Sequence, residues 1–293
     1  MGVFLGIDIG GTSIKTGLVQ QTGALLRRDK APLPSGWEDL TLLIEEQFQR
    51  AGGQTAVAGV AISAPGIVDP DAGTIAGLSA PSVQYIMGQP FYSLRERLGV
   101  PVWLEQDANC AILGEYWQGN ARGCRSAMAI VLGAGLGGGI LLDGRILRGA
   151  HRLGGDIGYI YPAATPGETR LSAHLSPATV AADYRLRTGR SLTLPQMHDA
   201  QGDALAGALY DGWLTGLALL ILSLQFTIDP QRFLLGGGIS EWEPLAGEVR
   251  RKLGELSRRQ YIPRLPQVDV CLHGNHANLL GAVYALIQQN SVR

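Results

Sequence analysis

Two aspartates lie at or just after the ends of apolar runs that are predicted to be strands. A carboxylate at the end of a strand can act as a base or hold a metal ion. Asp8 lies near the end of the run Val3–Ile9, and Asp107 follows the run Val100–Leu104. Asp107 precedes a predicted helix and could accept a proton from a substrate hydroxyl. Asp8 could hold Mg²⁺ through water, because that ion takes few carboxylates besides phosphate oxygens. Asp8 could instead be a buried acid in a hairpin turn, and Asp107 a helix cap.

Glycine-rich turns directly follow three of the predicted strands. They are Asp8–Lys15, Gly133–Gly139 and Gly236–Gly238. Adjacent glycines let the backbone bend tightly and point its N–H groups at an anion. In the first turn, Thr12 adds a hydroxyl and Lys15 adds a cation. Three such turns, each after an apolar strand, are hard to explain by packing alone.

The spacing of these glycines argues against two common nucleotide-binding motifs. Neither of the first two turns has the G-x-x-x-x-G-K-[ST] spacing of a P-loop. Gly133, Gly135 and Gly138 match G-x-G-x-x-G. A dehydrogenase fingerprint opens a helix, however, whereas this segment leads into a predicted strand. A dehydrogenase is therefore the least favoured of the functions considered.

The apolar runs predict an α/β protein with an internal repeat. The succession of strand, glycine turn and strand at the start of the chain returns at Ser126–Leu142, which favours a duplicated domain that holds a ligand between its halves. We expect an N-terminal domain over residues 1–110, onto which a C-terminal helix at about 279–293 packs back, and a second domain over residues 111–278. The predicted strands are Val3–Ile9, Ile14–Val19, Ala24–Arg28, Val57–Ser63, Val100–Leu104, Ser126–Leu132, Ile140–Leu142 and Arg232–Leu235. The predicted helices are Trp37–Ala51, a helix that follows Asp107 and continues through Trp117, a largely helical stretch from Leu171 to Ile228, and Leu279–Gln289.

Composition limits the functions that the chain could have. Of its 293 residues, 46% are hydrophobic and 17% are charged, as in ordinary folded domains. Lys and Arg number 24 against 25 Asp and Glu, so no basic field attracts a nucleic acid. Cys110, Cys124 and Cys271 are odd in number and far apart, which fits a reducing cytoplasm. The start of the chain lacks the features of a signal peptide. Trp213–Ile228 is predicted to be a buried helix, too short to span a bilayer comfortably.

Together, the glycine turns and the acidic segments resemble the signature blocks of the ROK family, which holds bacterial sugar kinases and sugar-responsive repressors. In family order, the blocks are Asp8–Lys15, Ala64–Asp69, Glu105–Asn109, Gly133–Gly139 and Leu235–Ile239. The resemblance implies a two-domain α/β actin-like ATPase (ribonuclease H-like) fold, with nucleotide and sugar in the interdomain cleft. It also implies ATP and Mg²⁺, with Asp107 as the catalytic base. The residues it assigns to ATP and its phosphates are Asp8, Gly10, Gly11, Thr12, Lys15, Gly133, Gly135, Gly137, Gly138, Gly236, Gly237 and Gly238.

The segments assigned to the sugar depart from the family pattern. The family usually has Asn where this chain has Gln106, and Glu-x-Gly-His where it has Asp156-Ile157-Gly158-Tyr159. Ser172 stands at a further sugar-binding Glu of the family. Together with a His-Gly-Asn segment before the last helix, these departures resemble the β-glucoside kinases, which phosphorylate the 6-hydroxyl of the non-reducing glucose of disaccharides such as cellobiose. The implied sugar-binding residues are Pro65, Gly66, Gln106, Asp107, Asp156, Tyr159 and Ser172.

No structural zinc is expected in this chain. The family usually has a Cys-rich zinc loop, but Tyr161–Ser176 contains no Cys and offers only His174, whereas zinc needs about four N or S ligands. Cys271-x-His273-x-x-His276 lacks a fourth ligand and is not predicted to bind metal. Ala134 replaces a Thr of the family in the second glycine turn. We therefore expect weaker nucleotide binding, because one hydroxyl is missing.

The leading hypothesis is an ATP-dependent sugar 6-kinase with a β-glucoside such as cellobiose as acceptor. Glucose, N-acetylmannosamine and N-acetylglucosamine are the alternative acceptors. A sugar-binding sensor that has lost catalysis is the alternative from another class. Ala134 and the altered sugar positions allow it, whereas the presence of Asp8, Lys15 and Asp107 argues against it. The expected partners are a sugar and ATP, with no nucleic acid and no membrane, and we expect a cytoplasmic homodimer.

Overall fold

The chain forms two units, each with its own sheet. The structure, a computed structural model, describes residues 2–77, 80–162, 169–260 and 264–291. The first unit comprises Met1–Arg122, Arg148–Gly154 and His276–Arg293. The second unit comprises Gly123–Leu147 and Gly155–Asn275. The short segment 148–154 therefore belongs to the first unit, although the residues on both sides of it belong to the second.

The strands and helices alternate in the way an α/β protein requires. The strands are β1 (Val3–Ile9), β2 (Ser13–Gln20), β3 (Leu25–Pro32), β4 (Val57–Ala64), β5 (Ile67–Asp69), β6 (Thr74–Gly77), β7 (Val102–Gln106), β8 (Ser126–Leu132), β9 (Leu136–Leu142), β10 (Arg145–Ile146), β11 (Arg232–Gly236) and β12 (Val268–Val270). The α-helices are α1 (Trp37–Arg50), α2 (Leu94–Leu98), α3 (Asp107–Gln118), α4 (Ser172–Leu175), α5 (Pro177–Thr188), α6 (Leu194–Asp199), α7 (Ala204–Ile228), α8 (Leu245–Gln260) and α9 (Ala277–Ser291).

The sheet of the first unit has the order β3-β2-β1-β4-β7. Strands β1, β2 and β3 form an antiparallel meander, whereas β4 and β7 run parallel to β1. The inner strand β1 is buried along nearly its whole length, as expected for a strand covered on both faces. The edge strand β3 is largely exposed and carries Arg27, Arg28 and Lys30, charges that discourage another chain from pairing with this edge.

The sheet of the second unit repeats this topology. Its order is β10-β9-β8-β11-β12. Strands β8, β9 and β10 are antiparallel neighbours, and β11 and β12 run parallel to β8. Each strand therefore has a counterpart in the first sheet. The repeat of strand, glycine turn and strand seen in the sequence corresponds to β1–β2 in one sheet and β8–β9 in the other.

Each unit buries its own hydrophobic core. In the first unit the core residues come from the inner strands and from α1, with Ile7, Ile44 and Ile62 fully buried. In the second unit α7 contributes Leu214, Leu217 and Ile221 to the core. By length and composition α7 as a whole could cross a membrane. The sequence-based estimate of a segment too short to do so concerned only Trp213–Ile228, whereas α7 begins at Ala204. Half of the most apolar stretch of α7 is buried within the protein.

Some of the predicted boundaries differ from the structure. The predicted turn at 133–139 is shorter, because β9 begins at Leu136 and includes three of the glycines. These glycines are drawn into the sheet because they pair with β8, as in the pair Gly138 and Ile130. Helix α8 was not predicted from the sequence, and α9 begins two residues earlier than expected. Helix α3 lies wholly in the first unit, whereas the expected domain boundary at residue 110 cuts through it.

Helices α3 and α9 cross at unusually short range because glycines face backbone at the crossing. A Cβ atom at Gly281 of α9 would lie 1.8 Å from the carbonyl oxygen of Cys110. A Cβ atom at Gly114 of α3 would lie 2.2 Å from the carbonyl oxygen of Ala277. Both distances are far below van der Waals contact, and the obstructing atoms belong to backbone. The C-terminal helix can therefore reach this position only if both residues lack a side chain.

We predict that Gly281→Ala destabilises the protein, because α9 must move away from α3 to admit the methyl group. The expected loss is about 1–3 kcal/mol or more. The matched control is Gly207→Ala in α7, where an added Cβ meets nothing within 4 Å. That substitution should stabilise the protein by up to about 1 kcal/mol through helix propensity. Thermal unfolding followed by circular dichroism measures both changes, and equal midpoints for the two variants would contradict the proposed close crossing.

Candidate functional site

The carboxyl ends of three parallel strands meet at one edge of the first sheet. Asp8 of β1 pairs in register with Ser63 of β4, and Ser63 pairs with Glu105 of β7. Ligands of open α/β sheets bind beyond this edge. All three residues are almost completely buried, so each polar side chain needs a partner within the protein.

Asp8 receives hydrogen bonds from three different elements. Its Oδ1 accepts from Ser63 Oγ at 2.9 Å and from Asn278 Nδ2 of α9 at 3.0 Å. Its Oδ2 accepts from Lys15 Nζ at 3.1 Å. Lys15 lies directly across the β1–β2 hairpin from Asp8, which explains why the two charges meet. The Lys15 side chain is 27% exposed, so it can also face an anion outside the sheet.

The first glycine turn links β1 to β2 at this edge. The amide of Gly10 donates to the carbonyl oxygen of Ser13 at 3.1 Å and closes the turn. Gly11 and Thr12 are exposed. The Gly11 carbonyl accepts from Ser82 Oγ at 2.6 Å. This arrangement fixes the turn in place and leaves its tip open to solvent.

The residues expected to bind sugar in this unit lie at or directly after the ends of β4 and β7. Pro65 and Gly66 connect β4 to β5, and Gly66 has a φ of 107°, which a residue with a side chain rarely adopts. Gln106 is the last residue of β7 and is buried. Asp107 is the first residue of α3 and only partly buried, and its Oδ1 accepts from the amide of Ala108 at 2.7 Å. Asp107 therefore lies in the first turn of a helix, where the backbone N–H groups favour a negative charge.

Glu105 forms a network directly before Asp107. Its Oε1 accepts from the amide of Gln106 and from Asn109 Nδ2, each at 3.0 Å. Its Oε2 accepts from Arg148 Nη2. Arg148 is the first residue of the segment 148–154, so this segment brings a cation to the buried carboxylate. Sequence reasoning quoted Glu105 as part of a motif but gave it no role.

In the second unit, two glycine segments follow neighbouring strands. Val131 of β8 pairs with Gly236 of β11, so the turn after β8 and the residues after β11 lie at the same sheet edge. Within the turn, the amide of Gly133 donates to the carbonyl oxygen of Gly135 at 3.0 Å. Gly237 has a φ of 85°, and a Cβ atom there would lie 2.1 Å from the carbonyl oxygen of Leu132. The close approach of the two segments therefore depends on glycine at position 237.

The second unit also contains the segment 156–172, which the resemblance assigns to the sugar. Asp156 precedes the short 3₁₀ turn Ile157–Tyr159. The Tyr159 ring is 42% exposed, and the guanidinium carbon of Arg170 lies 4.6 Å from its centroid. Ser172 Oγ accepts from the amide of Leu136 at 3.1 Å, so this hydroxyl holds the end of the second glycine turn. Residues 163–168, in the segment where the family usually has its zinc loop, lie outside the described residues.

The hydrogen bonds of the Asp8 carboxylate leave it little capacity for a metal ion, which suits a contact through water. A carboxylate offers about four lone-pair positions, and three are already taken by Lys15, Ser63 and Asn278. In the described part of the chain, no three His, Cys, Asp or Glu residues cluster in a way that could hold a metal ion. Mg²⁺ usually binds one or two carboxylates and keeps waters and phosphate oxygens as its other ligands. The residues present therefore suit an ion that arrives with a phosphate group.

The structure gathers the sequence-predicted residues into one group per unit. The first group lies at the carboxyl edge of the first sheet: Asp8, Gly10, Gly11, Thr12, Lys15, Pro65, Gly66, Gln106 and Asp107. The second lies at or next to the carboxyl edge of the second sheet: Gly133, Gly135, Gly236, Gly237, Gly238, Asp156, Tyr159 and Ser172. Gly137 and Gly138 lie within β9 instead of in a turn. Sequence reasoning missed Ser63, Arg148 and Asn278, whose contacts join distant segments and leave no local pattern.

Comparison with known proteins agrees with this architecture. The model of the ROK family matches residues 4–289. A β-glucoside kinase of Listeria monocytogenes is 32% identical over 301 residues, covering 97% of each chain. A crystal structure of a ROK family protein from Streptococcus pneumoniae in complex with sucrose has a TM-score of 0.89 and 28% identity, covering 99% of this chain and 100% of that chain. A ROK family glucokinase from Streptomyces griseus, in complex with glucose and AMPPNP, has a TM-score of 0.82 and 26% identity, covering 98% of this chain and 100% of that one.

The two sheets of equal topology, each with glycine turns at its carboxyl edge, place the protein in the actin-like ATPase fold class. Within that class, the chain belongs to the ROK family. The resemblance drawn from the motif blocks is thereby confirmed, and so is the expected fold.

The reactivity of Cys110 depends on the close packing of helix α3, in which this residue is fully buried. Burial raises the pKa of the Cys110 thiol well above its usual range, and the Glu105 carboxylate adds to the shift. Cys271 is also buried, whereas Cys124 is partly exposed.

We predict that iodoacetamide at pH 8 labels Cys124 in the native protein and leaves Cys110 and Cys271 unlabelled, because alkylation needs an accessible thiolate. Peptide mass spectrometry checks this, with urea-unfolded protein as the control. Native labelling of Cys110 as fast as Cys124 would contradict the packing described here.

Proposed function

We propose that this ROK family protein is an ATP-dependent sugar kinase that transfers the γ-phosphoryl group to the 6-hydroxyl of a hexose unit. The observation that carries the proposal is the position of Asp107. It begins a helix at the same sheet edge as Asp8, Lys15 and the first glycine turn. A carboxylate for the hydroxyl proton and donors for phosphate oxygens thus lie within one unit, and phosphoryl transfer needs both.

Asp107 acts as the base in this proposal. The 6-hydroxyl oxygen of the sugar attacks the γ-phosphorus, and the bond from that phosphorus to the β,γ-bridging oxygen breaks. The hydroxyl proton passes to the Asp107 carboxylate, and ADP leaves with the bridging oxygen. The base also orients the hydroxyl for in-line attack, which supports catalysis as much as proton removal does.

The glycine turns and Lys15 hold the phosphates in this proposal. The first turn contributes Gly10, Gly11 and Thr12, and Lys15 supplies a cation that Asp8 keeps in place. In the second unit, backbone N–H groups of Gly133–Gly138 bind phosphate oxygens, and Gly236–Gly238 contact the adenosine. Asp8 would hold, through water, an Mg²⁺ ion that arrives with ATP, and that ion would supply positive charge beside the phosphates. Ala134 offers no hydroxyl, so nucleotide binding relies on backbone donors there.

A β-glucoside such as cellobiose is the acceptor that we favour. Asp156 is one methylene shorter than the family's Glu, and Ser172 uses its hydroxyl on the Leu136 amide. Free glucose therefore loses charged hydrogen bonds worth about 1.5–3 kcal/mol each. A second sugar ring can regain affinity by stacking on an exposed aromatic ring, and Tyr159 and Tyr161 are 42% and 61% exposed.

The three free cysteines suit a reducing cytoplasm.

Sugar-dependent ADP release tests the function and the acceptor together. With Mg²⁺ and ATP, we expect activity on a panel of cellobiose, glucose, N-acetylmannosamine and N-acetylglucosamine, with the highest kcat/KM for cellobiose. Tyr159→His should lower the ratio of kcat/KM for cellobiose to kcat/KM for glucose about two- to tenfold, which corresponds to the loss of one aromatic stacking contact. Tyr161→His is the comparison variant and shows whether the neighbouring ring carries the stacking instead.

Two results would contradict these assignments separately. Sugar binding without any ADP release would favour a sensor over a kinase. A wild-type preference for glucose, or an unchanged ratio in both tyrosine variants, would refute the β-glucoside assignment while leaving the kinase intact.

Asp107→Asn should lower kcat by about 10²–10⁴-fold, the usual contribution of a general base. Sugar binding measured by calorimetry should persist, because the amide keeps the size of the carboxylate. Asp203→Asn is the matched control, since Asp203 caps helix α7 and accepts from the Ala206 amide at 3.0 Å. It should leave kcat within about twofold, because Asn is an equally good cap. A kcat of the Asp107 variant above a tenth of wild type would show that another group is the base.

A further inference from the structure

Glu105 accepts hydrogen bonds from residues on both sides of Asp107, a backbone amide before it and a side chain after it. One carboxylate oxygen accepts from the Gln106 amide, directly before Asp107, and from the Asn109 side chain, two residues after it. Two bonds to the same oxygen span the turn from β7 into α3. The orientation of the Glu105 carboxylate therefore sets the position of the turn that carries Asp107.

The second oxygen of Glu105 accepts from Arg148. Glu105 is 1% exposed and the Arg148 side chain is 24% exposed. In the described part of the chain, the Nε atom of Arg148 is buried and has no hydrogen-bond partner. The guanidinium is thus held at this place by its contact with Glu105. A buried carboxylate that loses its cation either turns toward water or takes up a proton, and either change disturbs the bonds to Gln106 and Asn109.

We propose that Arg148 is a positioning residue, which orients Asp107 by holding the Glu105 carboxylate in place. The inference rests on the proposed function, because it assumes that Asp107 is the base. Arg148 itself acts through Glu105 and touches no reacting atom. Displacement of a catalytic group by about 1 Å can lower a rate by about 10²-fold, so a residue behind the base can have a large effect on turnover.

Arg152 provides a matched control within the same segment. It forms ion pairs with Asp71 at 2.6 Å and with Asp69 at 3.6 Å. These carboxylates are 75% and 39% exposed, so water can replace the guanidinium there. If Arg148 only fastens segment 148–154 to the first unit, then removing either arginine should have a similar effect. If it acts through the buried Glu105, only the loss of Arg148 should matter.

The kinetic experiment compares Arg148→Met, Arg152→Met and the double variant Arg148→Met/Glu105→Gln with wild type. We expect Arg148→Met to lower kcat by about 10- to 100-fold, with KM for ATP within about twofold. Arg152→Met should leave kcat within about twofold. The double variant should regain most of the lost kcat, because a neutral Gln needs no cation and its oxygen can still accept from Gln106 and Asn109. A double variant as slow as Arg148→Met, or equal losses in the two arginine variants, would overturn the inference.

A second readout does not depend on kinase activity. Amide hydrogen exchange, followed by mass spectrometry of peptides covering residues 105–110, should be faster in Arg148→Met than in wild type and in Arg152→Met. Unchanged exchange in this segment would overturn the inference even in a protein without turnover. Absence of sugar-dependent ADP release in wild type would instead refute the proposed function. The double variant removes the unpaired buried charge, so it also gives a folded protein for the comparison if Arg148→Met alone unfolds.

Discussion

Burial of the Asp8 carboxylate is the constraint on which the first unit depends. At 2% exposure, this charge would cost several kcal/mol if it lacked partners. Its donors come from the hairpin strand β2, the parallel strand β4 and the last helix α9. One side chain thus fixes three elements, two of which are far from it in the sequence. The same contacts hold Lys15 near the first glycine turn.

That constraint also explains why the two helices behind the sheet approach so closely. Asn278 reaches Asp8 only if the start of α9 lies against the sheet edge. Helix α3 occupies the neighbouring space, because it begins directly after β7. The side-chain-free positions Gly114 and Gly281 let the two backbones come together. The packing of α3 against α9 and the hydrogen bonding of Asp8 are therefore two consequences of one arrangement.

The sequence predicted most of the first unit because its signals are local. A run such as Val57–Ser63 shows its burial in its own composition, and β4 forms at nearly the same residues. Asn278 and Arg148 could not be predicted in this way, since their partners Asp8 and Glu105 lie 270 and 43 residues away. The glycines at the start of β9 were assigned to a turn because glycine usually marks one. In the sheet they are required by packing, since a Cβ at Gly138 would lie 2.6 Å from the carbonyl oxygen of Gly155.

In the second unit, Ser172 connects two segments that the proposed function assigns to different ligands. The hydroxyl of Ser172, the residue that the motif resemblance sets at a sugar-binding Glu of the family, accepts from the amide at the end of the second glycine turn. Gly158 packs on the same residue, since a Cβ there would lie 2.0 Å from the carbonyl oxygen of Leu136. Under the proposed function, the change at position 172 removes an acceptor for the sugar and adds a tie to the phosphate turn. Ala134, which lacks the hydroxyl of the family's Thr, belongs to that same turn. We therefore expect acceptor preference and nucleotide affinity to be linked through Leu136, because the segment that would meet the sugar also holds the backbone that would meet the phosphates.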